Sequence, residues 1–377
     1  METLLKERLG TPNEQPKPSN STRVSSENMQ ATTPLSLAKV LQFPESLRWE
    51  DHEFTLSERV QWLERFGNHC MSYSTLQPKM QYFDLPGVGF IAYRDCFGER
   101  IVLSDPICAP HLRVLLISEF LRRSPKRTSF VQITPPVAQI LAQQFQMFTT
   151  EFGQETTIEL NDWSLRGKKK QIFRTALNQA EKMNISIMET FSHHLEDRIS
   201  ETWLNTRRCK NNEINFLIRP KTMPYQKDVR RFYGYKDLQP IGFIHFDPIY
   251  QHGKIIGYVP NISRANHMFK QGLFYAIMAV ALEQFKQEGL KIVNLGLSPL
   301  HLKNDIEETQ TWKLTPSTAL TRLFKLTHRF GQRFYNFQGI QFTKQRFRAT
   351  EQTTFVASRQ KVPLKAFLAC FRLSNLL

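Results

Sequence analysis

Apolar and polar positions divide the chain into a polar start, two stretches of short apolar runs, and a basic segment between them. From Thr11 to Pro34, 17 of 24 residues are Pro, Ser, Thr, Asn or Gln, and the apolar side chains are Val24, Met29 and Ala31. So little apolar surface cannot offset the entropy of ordering, which predicts a disordered tail over residues 1–40. Thr55-Leu-Ser-Glu58 has the Ser/Thr-x-x-Glu spacing of a capping box and predicts a helix from there to about Cys70. Three runs rich in Phe, Tyr, Val and Ile, at Met80–Phe83, Val88–Arg94 and Arg100–Leu103, are separated by Pro86-Gly87 and Phe97-Gly98 and predict an antiparallel meander. Helical spacing follows in Leu112–Arg123 and Pro135–Gln146, with strands at Ser129–Thr134 and Ile158–Leu160.

Arg166–Lys182 holds six Lys or Arg against Glu181. Ile172, Phe173, Ala176, Leu177, Ala180 and Met183 recur at helical spacing, so one face should pack and Lys170, Arg174 and Asn178 should stack on the other. Beyond it the pattern predicts helices at Leu195–Arg207, Gly272–Gln287 and Ala319–Phe334. It predicts strands at Asn215–Ile218, Phe232–Tyr235, Ile241–Phe246, Ile255–Val259, Lys291–Leu295, Gln341–Phe347 and Thr353–Ala357. Gly272–Gln287 is apolar almost all round and should be buried. Both halves share a rhythm of helix, meander, helix and strand, which points to a duplicated α+β unit. At the C-terminus, Leu364, Phe367, Leu368 and Phe371 share a helical face; packing on the protein is the expectation, a membrane interface the alternative.

Charge changes the picture more than composition does. Fifty Lys and Arg against 34 Asp and Glu give +16 at neutral pH, which makes a polyanion such as nucleic acid or an anionic membrane surface an attractive partner. Five cysteines (70, 96, 108, 209 and 370) lack paired spacing, arguing against a disulfide framework or zinc ribbon and for a reducing compartment. Met1–Gly10 lacks the pattern of a secretory signal, and the longest apolar run, Leu273–Leu282, is half of the ~20 residues a spanning helix needs, so the expectation is a cytoplasmic protein. The P-loop, H-E-x-x-H, C-x-x-C and G-x-S-x-G patterns are missing, and vicinal His193-His194 cannot both face one metal from a helix. No metal or redox cofactor is expected.

Ile292-Val-Asn-Leu-Gly-Leu-Ser-Pro-Leu300 and Phe337-Gln-Gly-Ile-Gln-Phe-Thr-Lys-Gln-Arg-Phe347 resemble the "F-N-L-G-x-(A/S)-P-L" and "G-L-x-x-(Y/F)-K-x-K-F" segments of the C-terminal catalytic domain of bacterial aminoacyl-phosphatidylglycerol synthases. Tyr93-Arg94 through Ser104-Asp105-Pro106, Gly153-Gln-Glu155 through Leu160, Ser164-Leu-Arg-Gly-Lys168 with Arg174, and Pro240–Ile244 agree in order with further segments of that family. The resemblance implies tandem acetyltransferase-like lobes with mixed, mostly antiparallel sheets joined by a basic helix. On this chain they would be residues 41–160, a connector over 161–190, and a second lobe over 191–377 carrying the active site. It also implies transfer of an amino acid from aminoacyl-tRNA to phosphatidylglycerol or another hydroxyl or amine acceptor, in a free-standing form without a membrane flippase domain, working in the cytoplasm or at the inner face of the membrane.

The family's "D-L-M-R" falls on Asn261-Ile-Ser-Arg264, keeping the arginine but losing the acid, and its terminal lysine pair falls on Lys344 and Arg346. On a strand, Lys344, Arg346 and Arg348 would share one face as a cationic row for phosphate. An aminoacyl ester is already activated, so transfer needs positioning and oxyanion stabilisation, for which Arg264 and Lys344 are the candidate donors. His245 and Asp247, alternating on one strand, are candidate bases, with Asp105 and Asp305 weaker ones. Asn261 can bond an ester or amine but cannot take a proton. Gly296 and Ser298 could present a loop to the ligand, and Lys168, Lys170 and Arg174 could bind the tRNA or lipid. Two alternatives stay open: an acyl-CoA-dependent N-acyltransferase, and a non-catalytic basic protein that binds tRNA or membrane.

Overall fold

The computed structural model describes residues 53–190, 196–205, 213–266, 270–330 and 336–376, all within one unit spanning residues 49–377. The tail expected over residues 1–40, His193-His194 and Cys209 lie outside them. Thr55 caps α1 (Leu56–Phe66) in a reciprocal box with Glu58. The meander follows as β1 (Gln81–Leu85), β2 (Gly89–Cys96) and β3 (Glu99–Leu103), with the short β4 (Ile107–Cys108) paired on β2. Next come α2 (Arg113–Arg123), β5 (Arg127–Ile133), α3 (Pro135–Phe145), started by proline, and β6 (Phe148–Glu159). The basic segment supplies α4 (Gln171–Lys182). The second half contains β7 (Ile185–Glu189), α5 (Glu196–Asn205), β8 (Arg230–Lys236), β9 (Gln239–Gln251), β10 (Lys254–Ala265), α6 (Lys270–Gln287) and β11 (Ile292–Pro299). It ends with α7 (Ile306–Thr311), α8 (Thr318–Phe330), α9 (Phe337–Gln345), β12 (Thr350–Ser358) and α10 (Leu364–Leu373).

The strands form one mixed sheet in the order β1-β2-β3-β5-β12-β6-β11-β10-β9-β8-β7, antiparallel except at β3/β5 and β10/β11. Each half runs meander, helix, parallel strand, so the fold class is α+β and the shared rhythm in the sequence has a structural counterpart. The last strands are exchanged: β6 of the first half pairs with β11 of the second, and β12 of the second pairs with β5 of the first. Lobe limits at 160 and 191 therefore do not divide the sheet, because residues 350–358 complete the first half. The reason is register: β12 and β6 pair along nine residues in the middle of the sheet, where neither is an edge.

The α6 expectation holds. Ala276, Met278, Leu282 and Phe285 are fully buried against Phe173 and Ala176 of α4 and Phe232 and Phe246 of the sheet. At ~1.5–3 kcal/mol per large apolar side chain removed from water, this helix is a principal source of stability. Gly234 and Gly242 admit Leu273, since a Cβ at either would lie within 2.7 Å of its methyls.

Three local readings are corrected. Gln341–Phe347 is no strand: Asn336 caps α9 by accepting from the Gly339 amide, and the inward residues Ile340, Lys344 and Phe347 recur at spacings of four and three. Four polar residues in a row, Thr343–Arg346, leave too few apolar positions in that window to show the helical repeat. Asn215–Ile218 is not extended, because Phe216 takes φ +65° and both its backbone groups bond the Gln77 side chain at 2.9 Å. In α10 the packing face is Ala366, Ala369, Cys370 and Leu373, where three small side chains allow close approach; of the expected face Phe367 packs against Phe324, while Leu364, Leu368 and Phe371 point outward.

Candidate active site

The parallel strands β10 and β11 are paired at Gly257–Ile292 and Tyr258–Val293, an approach so close that a Cβ at Gly257 would lie 2.1 Å from the Ile292 carbonyl oxygen. Past these pairs both strands run on, but β10 follows β9 across a bulge between Pro260 and Ile262, and β11 follows β6 across one between Asn294 and Leu297. Bulged strands bend, so each leans to its outer neighbour and a wedge opens in the middle of the sheet. Asn261 and Arg264 stand on the β10 lip, Gly296 and Ser298 on the β11 lip.

Lys344 reaches the β11 lip from α9. Its stem is half-buried, but its Nζ is enclosed and donates to the Leu297 carbonyl at 2.7 Å. Gly296 stands beside it at φ +74°, a backbone that favours glycine; a Cβ there would be in ordinary contact with Nζ at 3.8 Å. Burial of the ammonium pushes its pKa down to about 7, with Cys70 and Glu155 acting in the opposite direction. The arginines grouped with it do not form a cationic row: Arg346 is exposed and lies 4.1 Å over Phe342, and Arg348 is exposed in a left-handed turn. A helix and a turn carry these residues, so the period-two geometry of a strand never arises.

Glu155, opposite Leu297 in the register, centres a buried network that sequence reading missed. Its Oε1 meets His69 Nε2 at 3.0 Å and accepts from the Gln132 amide at 3.0 Å, while His69 Nδ1 meets Ser104 Oγ at 2.9 Å. Burial alone would lower the pKa of His69, but Glu155 carries it well above the ordinary value; Glu155 in turn is held low against its own burial penalty by His69. Ser104 and Gln132, both buried, hold left-handed backbones at φ +71° and +56°. Such strain costs on the order of 1–3 kcal/mol per residue and concentrates at functional sites. His69 Nε2, Cys70 Sγ and a Glu155 oxygen lie within 4.8 Å of one another, a donor set of the kind that holds a divalent cation. All three are already in mutual contact or bonded to Gln132, and Lys344 adds positive charge beside them, so they read as a hydrogen-bonded network.

The segment after His69 joins this network to the other lip. Ser74 Oγ accepts from Asn261 Nδ2 at 3.1 Å, and the same amide donates to Asp247 at 2.8 Å. Asp247 is fully buried in an ion pair with Arg219, whose Nε lies 2.9 and 2.7 Å from its two oxygens. His245 Nε2 meets Glu196 at 2.8 Å, its Nδ1 has no hydrogen-bond partner, and burial lowers its pKa. Tyr233 also donates to Glu196. Arg264, 5% exposed, pairs with Glu213 and lies 5.2 Å over Trp203. Both sequence-derived base candidates are thus already engaged by partners from outside their strand. Asp105 accepts from the Thr134 amide and hydroxyl, and Asp305 caps α7.

In the basic segment Lys168 is exposed, but Lys170 donates to the Phe347 carbonyl at 2.7 Å and sits 4.2 Å over Trp163, and Arg174 donates to the Gly167 carbonyl at 2.8 Å. The expected open cationic face of α4 is therefore partly spent on holding its own turn and the end of α9. His69, Glu155, Gln132 and Arg219 left no spacing signal, because they come from four separate elements; Glu155 alone fell within a segment shared with the family.

Residues 60–358 match the family model for the C-terminal region of phosphatidylglycerol lysyltransferase. The chain belongs to this family. Among curated relatives of the lysyltransferase family, the phosphatidylglycerol lysyltransferase of Bacillus subtilis is 24% identical over 251 residues, covering 63% of this chain and 28% of that protein. That of Staphylococcus epidermidis is 22% identical over 333 residues, covering 83% and 36%. The chain thus spans about a third of the length of these relatives. The solved structure of L-PGS from Bacillus licheniformis superposes with a TM-score of 0.71 at 18% identity, over 86% of this chain and 99% of that one, so the two share a fold.

Proposed function

We propose that this member of the lysyltransferase family moves an aminoacyl group from aminoacyl-tRNA to a hydroxyl of phosphatidylglycerol at the wedge between β10 and β11. The observation that carries this reading is the enclosed Lys344 amine bonded to the Leu297 carbonyl of β11, the strand paired with the β10 that bears Asn261 and Arg264; its burial brings the pKa down to about 7. A general base works best with a pKa near the working pH. The acceptor hydroxyl oxygen attacks the ester carbonyl carbon, and neutral Lys344 takes the hydroxyl proton. The tetrahedral oxyanion then collapses, the bond to the terminal ribose oxygen breaks, and the Lys344 ammonium returns the proton to that oxygen. Arg264 on β10 is paired with Glu213, and it brings net positive charge to the oxyanion when that partner is exchanged. The family match and the net charge of +16 support a lipid acceptor and a polyanionic donor.

The test is to incubate the purified chain with labelled aminoacyl-tRNAs and phosphatidylglycerol in mixed micelles and count label extracted with the lipid. The expected result is a labelled lipid, lost by ~100-fold or more in Lys344→Met, the scale of a missing acid–base group. Absence of product from every aminoacyl-tRNA, or product formed only from acyl-CoA, would overturn the proposal.

A further inference from the structure

Exposed apolar side chains gather on the last three helices. Leu326 and Phe330 of α8, Phe342 of α9, and Leu364, Leu368 and Phe371 of α10 are 36–65% exposed. Side-chain contacts tie α8 to α10 directly and α8 to α9 through His301. Phe324 of α8 meets Phe367 of α10 at 5.3 Å, and both helices bury their inner faces in one core with Leu320, Ala366 and Ala369. His301 links α8 to α9: Gln341 approaches it at 3.4 Å, and its pKa is lowered by burial and by the nearby His328.

The charge of this region is one-sided. From Thr309 to Leu377 the sequence holds twelve Lys or Arg, and Glu351 is its one acidic residue. Arg322, Lys325 and Arg329 lie on the exposed side of α8 beside Leu326 and Phe330, and Lys365 and Arg372 flank the outward stripe of α10. A phosphate backbone would be met by the cations alone and gives Leu and Phe nothing to enter. A second copy of the chain would bring an equally basic face and be repelled. A bilayer interface containing anionic lipid accommodates both, hydrocarbon for the apolar side chains and headgroup phosphate for the basic ones. Among the described residues no helix is long and apolar enough to cross a membrane.

We propose that the outer faces of α8, α9 and α10 form a docking surface for an anionic lipid bilayer. The inference rests on the lipid acceptor proposed above and adds where the lipid is met. Helix α9 connects the two ideas, since it carries Phe342 and Arg346 outside and Lys344 inside at the wedge.

Co-sedimentation of the full chain with vesicles tests it, using phosphatidylcholine alone against phosphatidylcholine with phosphatidylglycerol. Binding should require the anionic lipid and weaken as salt rises from 0.05 to 0.5 M by roughly an order of magnitude, as expected for surface electrostatics. The double variant L368E/F371E, altering exposed side chains only, should bind at least ~10-fold more weakly, since apolar insertion is lost and two repelled charges are added. It should nevertheless turn over detergent-dispersed phosphatidylglycerol as the parent does. The triple variant R322Q/K325Q/R329Q should lose most of the salt dependence, and L238E, at an exposed leucine on another turn, should bind normally. Equal binding by L368E/F371E, equal loss in L238E, or displacement of vesicles by tRNA would overturn the proposal. Vesicle binding without any lipid product would uphold the surface and remove the lipid acceptor; product on dispersed lipid without vesicle binding would do the reverse.

Discussion

Replacing Lys344 by Met tests whether an ammonium is enclosed at the wedge at a cost to the fold. Moving the amine from its ordinary 10.5 to about 7 corresponds to roughly 5 kcal/mol, at ~1.4 kcal/mol per pH unit. Solvent reaching the half-buried stem, and the hydrogen bond to Leu297 worth ~1 kcal/mol, reduce the net gain expected of the variant to ~2–4 kcal/mol near pH 6.5. The sign follows from proton linkage. The unfolded chain holds this proton up to about pH 10.5 and the folded chain only to about 7, so the unfolded state binds more protons between those limits. Burial of Lys344 therefore destabilises the parent most below pH 7, and the penalty fades as pH rises to 10.5. Urea denaturation of parent and Lys344→Met at pH 6.5, 8 and 9.5 should show the more stable variant losing its advantage as pH rises. A difference in stability that is independent of pH, or a variant weaker than the parent at pH 6.5, would refute the argument. The gain in stability should come with loss of transfer activity.

Three further outcomes follow. In the parent, kcat/KM should rise as pH passes upward through about 7 while Lys344 loses its proton, a limb that stopped-point assays on Lys344→Arg should no longer show. Asn261→Asp would set a second carboxylate where an amide now donates to Asp247 at 2.8 Å, and thermal denaturation should register a loss of ~1–3 kcal/mol at pH 7 that shrinks in acid, where the pair takes up a proton. Gly296→Ala places a side chain at φ +74° facing the Lys344 amine; calorimetry should show a cost of ~1 kcal/mol and the assay a larger fractional loss of turnover.

What the sequence disclosed was whatever depends on local pattern. The capping box at Thr55, the meander, the all-apolar α6 and the basic α4 are written in neighbouring residues; the family segments singled out Asn261, Arg264 and Lys344, but the strand expected at Ile255–Val259 stopped short of the first two and the strand expected around Lys344 is a helix. The strand expected at Gln341–Phe347 failed because so short a segment, with Phe342 and Phe347 its only large apolar residues, fixes no period, and the Asn336 cap and the burial of Phe347 against Phe173 decide for a helix. The partners of each site residue were illegible for a different reason. Arg219 reaches Asp247 from a loop, Glu196 reaches His245 from α5, and Ser74 reaches Asn261 across 187 positions of chain. Such pairings are fixed by the sheet order, which no window of sequence contains.

The exchange of β6 and β12 bears on how the chain is made. During synthesis β5 and β6 emerge early, yet the place between them stays vacant until Thr350–Ser358 has left the ribosome, about 200 residues later. Until then two interior strands expose unpaired amides and carbonyls along their length, the condition that invites association with other nascent chains. Closure across some 200 positions also makes the final step slow. A prematurely terminated product lacking Thr350–Ser358 would leave both halves open at the centre, and should be recovered in the insoluble fraction.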